Sequence, residues 1–279
     1  MVLNTTGLRF KLIRPCPRRR EANMLPRTFM ARAIRKLLRG DVSKTRLLTM
    51  LLPLSFVASF GTLIVAAYLF PSHYDWQRRV ISDLTSPRAN PDFYWLPTLG
   101  IAVSALLSLP FAGFMERGLH GIAPRLARTI GVAFALGFVL LMLACVAVPS
   151  HKPSMLFLRR LHETSARGFA VAAGVGMLSC CWCAMKDRLN ARGGQKSLRP
   201  ALAYLWLSLT LVPIGCLAIA GILVFGHNLH QEWADTVREW FRHTPMWRLA
   251  FWEWFGIVAF FAFMMVSALL LPERTRTDS

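Results

Sequence analysis

The sequence predicts an all-α fold, a bundle of six transmembrane helices behind a basic cytoplasmic N-terminal tail, and three observations carry that prediction. Apolar residues fill 54% of the 279 positions, above the roughly 45–50% of ordinary soluble domains. They gather into six long runs separated by polar stretches. Each run is continuously apolar and does not alternate with a period of two, which favours helices over a membrane barrel.

A crossing helix needs about 20 mainly apolar residues, at about 1.5 Å each, to span about 30 Å of hydrocarbon. The runs over 47–70, 93–115, 131–149, 165–185, 202–225 and 248–271 meet that need. They divide the chain into a tail over 1–46, a membrane domain over 47–271 and a short cytoplasmic tail over 272–279. The first 46 residues read as part of a signal anchor, because the basic region is too long for a cleavable signal and the first run spans unaided. Translation could start at Met1, Met24 or Met30. Between Pro26 and Gly40, Phe29, Met30, Ala33, Ile34, Leu37 and Leu38 oppose Arg32, Arg35, Lys36 and Arg39. This pattern fits either a basic amphipathic helix on anionic lipid headgroups or a disordered tail.

Further along, Asn90–Pro91 and Thr244–Pro245 read as the cap and first residue of spans two and six. In span four, Gly168, Ala172 and Gly176 recur at i, i+4 and i+8. Small stripes admit close helix approach, so this span is expected at the centre of the bundle. Before span six, Trp233, Val237, Trp240 and Phe241 oppose Glu232, Asp235, Glu239 and Arg242, the pattern of a short interfacial helix. No internal repeat or matched helix break is visible, which weighs against an inverted-repeat transporter.

The net charge of +19 raises the question of nucleic acid, and its distribution answers it. Thirteen Lys or Arg precede Leu47, against Glu21 and Asp41 alone. Arg117, Arg125 and Arg128 follow span two, and Lys186, Arg188, Arg192, Lys196 and Arg199 follow span four; the other loops mix signs. This is the positive-inside pattern of a multi-pass cell inner membrane protein with both termini cytoplasmic, and no nucleic-acid partner is needed to explain it. Cysteines give no extracellular disulfide framework, since Cys145, Cys180, Cys181, Cys183 and Cys216 lie in apolar runs. The cluster Cys180–Cys183 could hold a metal or an acyl chain, but small apolar packing accounts for it better.

On this topology the segment 72–92 faces outward and concentrates His73, Asp75, Ser82, Asp83, Asn90 and Asp92 beside the membrane. Glu253 lies within span six, one to two turns from its outer end. A lone charge in hydrocarbon costs several kcal/mol, about 3 on insertion scales, so Glu253 calls for a partner from another element. Candidates are His162, Arg167 and the Ser82–Asp83 pair. Glu163 and Arg167, at i and i+4, are expected to satisfy each other, leaving His162 to look inward.

Three chemistries can be drawn on these residues. Zinc takes imidazole and carboxylate ligands from separate helices, so His162, Asp83 and His227 or His230 could hold it with Glu253 as base. No metal-binding sequence motif supports this. Ser82 with His162 and an acid could act as a nucleophile, though without a nucleophile elbow. Glu253 and His162 could instead relay protons.

Tyr74–Asp75, Ile81–Leu84, Asn90–Pro91, a span beginning near Phe93, His162 opening span four and Glu253 in span six together resemble the six-span membrane family called domain of unknown function 998 (DUF998), and more distantly the DRAM-like membrane proteins. The resemblance covers about 47–271 and leaves the basic tail aside; it implies a six-helix bundle and no particular reaction. Trp252 and Trp254 flank the acid where that family often carries a following basic residue.

The expected site therefore gathers Asp75, Ser82, Asp83, His162 and Glu253 on the outer face, with His227 and His230 as additions. The leading expectation is a lipid-associated membrane component. A metal-dependent hydrolase acting on an outer-leaflet lipid and a proton-coupled transporter follow.

Overall fold

The structure, a computed structural model, describes residues 42–147, 156–190, 198, 200–225 and 232–272. Among the described residues it is all-helical, without β-strand. The elements are α1 (Lys44–Tyr68), α2 (Ile81–Leu84), α3 (Trp95–His120), α4 (Pro124–Val146), α5 (Leu156–Asn190), α6 (Pro200–Phe225), α7 (Glu232–Arg242) and α8 (Leu249–Leu270). Five helices are long and apolar enough to cross a membrane: α1, α3, α4, α5 and α8. Helix α6 covers the fifth expected span over 26 residues. The expected tail helix lies outside the described residues.

Helix α1 departs twice from α geometry, with π turns at Leu47–Leu51 and Val57–Gly61. Pro53 follows the first, and it has no N–H for the regular bond to the residue four back. At the second, the Thr62 hydroxyl donates to the carbonyls of Ala58 at 2.7 Å and Ser59 at 3.1 Å, competing with the backbone ladder. Helix α3 makes its closest approach there. A Cβ on Gly100 would collide with Thr62 Oγ1 and the Ala58 carbonyl, so glycine alone fits.

The structure corrects the expectation that span four is central. Along α5, Val171, Val175, Leu178, Trp182 and Met185 are exposed, and 33% of its apolar window is buried against 61% for α3, which makes α3 the inner helix. The small stripe of α5 does admit close packing, against one neighbour. Gly168 meets Leu140, Gly176 meets Phe134, and Ala172 lies opposite Gly137. Cys180 and Cys183 are fully buried in the same core, as the packing reading expects.

That main core is built on Phe111, Phe134, Phe138, Phe260 and Phe263, with Trp206 stacked on Phe263. Trp206 is fully buried, and its indole N–H donates to Ser267 Oγ at 2.8 Å, tying α6 to α8. Lys44 Nζ donates to the carbonyls of Leu269 and Leu271 at 2.7 and 2.9 Å. It thereby caps the end of α8, where unpaired carbonyls favour a cation.

Two expected caps are also corrected. Helix α8 begins at Leu249, after a 3-10 turn over Pro245–Trp247, and Thr244 makes no capping bond. Helix α3 begins at Trp95, and Asn90 serves a different helix, described below. The expected surface helix does form, as α7.

Candidate functional site

The segment between α1 and α3 folds around its own small core. Tyr74 is 2% exposed although it lies in a loop, and it packs with Leu63, Ala66, Phe70 and Leu84. An aromatic chain continues outward from it: Phe70 to Tyr74 at 5.5 Å, Tyr74 to Trp76 at 5.1 Å, and Trp76 to Trp254 of α8 at 4.9 Å. The Tyr74 hydroxyl donates to the carbonyls of Arg79 and Val80 at 2.9 and 3.0 Å. Burial pushes its phenol up, which keeps the proton on this donor. Arg79 closes the turn with its guanidinium 4.8 Å above the Phe70 ring and a bond to Ser72 Oγ. His73 takes a left-handed φ of 55°, uncommon outside glycine but more accessible to His, Asn and Asp than to most residues.

These contacts deliver the one-turn helix α2 to the side of α8, where it is held at both ends. Glu253 Oε2 accepts the N–H of Ile81 at 2.7 Å and that of Ser82 at 3.4 Å. At the other end, Asn90 Nδ2 donates to the Leu84 carbonyl at 3.2 Å. Glu253 thus finds its partner in loop backbone. A helix start supplies unpaired N–H groups that stabilise a carboxylate.

Beneath α2 lies a cavity of about 420 Å³, walled by α1, α2, α3, α4, α5 and α8. Its size falls within the roughly 300–1,000 Å³ of small-molecule sites. Ser82, Thr85, Thr98, His162 and Glu253 line the end near α2, and Ser59, Ser104 and Ser108 lie deeper. The remaining surface is apolar, with Ile101, Phe138, Leu141, Phe169, Phe260 and Met264 contributing.

Of the residues expected at the site, Ser82, His162 and Glu253 share this cavity. Asp83 is on α2 but outside the lining. Asp75 shapes the preceding turn, with its carboxylate accepting the Gln77 N–H at 2.9 Å and facing Arg78 at 3.5 Å. His227 and His230 lie outside the described residues. His162 Nδ1 donates to the Ala144 carbonyl at 2.8 Å, which fixes its proton there and leaves Nε2 as the acceptor of the neutral ring. Glu163 pairs with Arg159 at 3.1 Å, one turn away on the side opposite to the expected Arg167.

Nucleophilic catalysis requires a hydrogen bond from nucleophile to base. Among the described residues none joins Ser82 to His162 or His162 to Glu253. Nor does any group of three or more His, Cys, Asp or Glu among them stand ready to hold a metal. In comparisons with protein-family models, curated proteins and solved structures, nothing matches this chain.

Sequence reasoning missed Thr85 and Thr98 at the mouth and all three deeper serines. Thr98, Ile101, Ala105 and Ser108 do repeat along one face of α3. Intramembrane serines so often bond their own helix backbone that this signal is weak.

Proposed function

We propose that this protein binds a membrane lipid, with one acyl chain in the cavity and the polar end of the lipid at Ser82, Thr85, His162 and Glu253. The observation that carries the reading is the length of the apolar lining. From Glu253 to Met264 it follows α8 for 11 residues, about 16 Å, or half of the hydrocarbon thickness. One leaflet's chain has that reach.

The proposal includes α6 as a sixth crossing, supported by its 26 residues, about 39 Å of helix. It also sets the mouth on the outer face of the cell membrane and both termini in the cytoplasm. Lys44 and Arg117 support this, because both reach backbone carbonyls at the end of the bundle opposite the cavity mouth. The likeness to the domain of unknown function 998 family belongs to the same proposal.

The test is native mass spectrometry of gently purified protein. Wild type should carry one lipid per chain, and Ala166→Leu, which pushes a side chain into the lining, should reduce that occupancy about tenfold with the bundle intact. Protein free of lipid in a membrane-like detergent, or occupancy unchanged by the substitution, would overturn the reading.

A further inference from the structure

The deep end of the cavity is polar in a way that a plain hydrocarbon chain does not need. Ser104 and Ser108 of α3 line it, and both bond to Ser55 of α1 at 2.8 Å, where they join the two helices. Ser59, one turn along α1, also lines it and is 1% exposed. Its hydroxyl has no hydrogen-bond partner among the described residues.

A buried hydroxyl in an α-helix ordinarily bonds the carbonyl one turn back. Ser59 sits in the π stretch Val57–Gly61, and its hydroxyl makes no such bond. It lines the same cavity as Ser104 and Ser108. A hydroxyl at a cavity wall that gains a hydrogen bond from the ligand contributes about 0.5–1.5 kcal/mol, so a ligand that supplies the partner gains over one that does not.

We infer that this inner end is a second polar subsite, which selects a lipid chain bearing an oxygen at mid-length: a hydroxyl that accepts from Ser59 and donates to Ser104 or Ser108, or a carbonyl that only accepts. The spacing follows from the aromatic contact of Phe60 with Phe261 at 5.5 Å, which sets the Ser59 level of α1 beside Phe261. Phe261 is eight residues along α8 from Glu253, about 12 Å from the mouth. The inference rests on the lipid reading above and specifies the chain.

The experiment is a competition between stearate and a hydroxystearate with its hydroxyl near mid-chain, on full-length protein in detergent, read by native mass spectrometry. Wild type should prefer the hydroxylated chain about five- to tenfold, the worth of one buried hydrogen bond. Ser59→Ala should level the two chains, and Ser59→Thr should restore the preference. Because Ser59 holds no helix contact through its hydroxyl, the alanine variant should fold. Equal binding in wild type, as when the serines simply hold water, overturns the inference alone, as does a preference that survives Ser59→Ala. Binding of neither chain overturns the lipid reading with it.

Discussion

The two halves of α8 solve opposite problems. From Phe260 to Leu271 the helix meets Phe134, Trp206 and Leu47 in the main core, with Phe260, Phe261 and Met264 also closing the inner end of the cavity, and its single polar side chain, Ser267, is bonded to Trp206 and to the Phe263 carbonyl. From Leu249 to Ile257 it faces a cavity, carries a carboxylate, and is covered by a loop in place of a long helix. In the first half, packing fixes the structure and hydrogen bonds decorate it. In the second, two hydrogen bonds to Glu253 and a small satellite core around Tyr74 and Leu84 hold a one-turn helix in place. Regions of that second kind open most readily, and binding sites are drawn from them.

The largest effect should come from the packed half. Trp206→Ala removes a fully buried indole and its bond to Ser267, and should destabilise the whole bundle by about 3–5 kcal/mol, read as a lower thermal midpoint. Glu253→Ala should be smaller and local. It strands the N–H groups of Ile81 and Ser82 at about 1–3 kcal/mol, and hydrogen exchange should quicken across 72–92 while α3 and α4 keep their protection. A global loss of protection would erase the contrast between the halves. Tyr74→Phe should act least, at about 1 kcal/mol, by removing the donor shared between Arg79 and Val80 while the ring packing stays. Its mark should be faster exchange confined to the turn before α2.

Much of the fold was legible because hydrocarbon imposes a simple length rule. Every expected span falls on a helix, and the largest displacements of helix ends, at the C-terminus of α3, the N-terminus of α4 and both ends of α5, arise where a helix continues past its apolar stretch. Helix α5 runs 35 residues, about 52 Å, well beyond the hydrocarbon at both ends. The central helix was misread because small residues occur in α3 as well as α5. Gly100 and Gly118 make contacts as close as those of Gly168, and composition does not say which stripe has neighbours on every side.

At the site, the sequence marked Glu253 as needing a partner and nominated the right loop. The partner itself is two backbone N–H groups, and every residue but proline carries one. Ser59 was invisible for a related reason. Its donor sits in a π turn packed beside Thr62 and Gly100, and no single residue announces that turn.

The bond from Lys44 to Leu271 brings the start of the first crossing helix within 2.9 Å of the end of the last. Geometrically the membrane domain is therefore a closed ring whose chain could be entered elsewhere. A permuted protein, with 272 joined to 42 by a short flexible linker and new termini opened in an exposed loop, would keep every helix beside its present neighbours. The Lys44 clasp would then lie within a loop, holding together two strands of continuous chain.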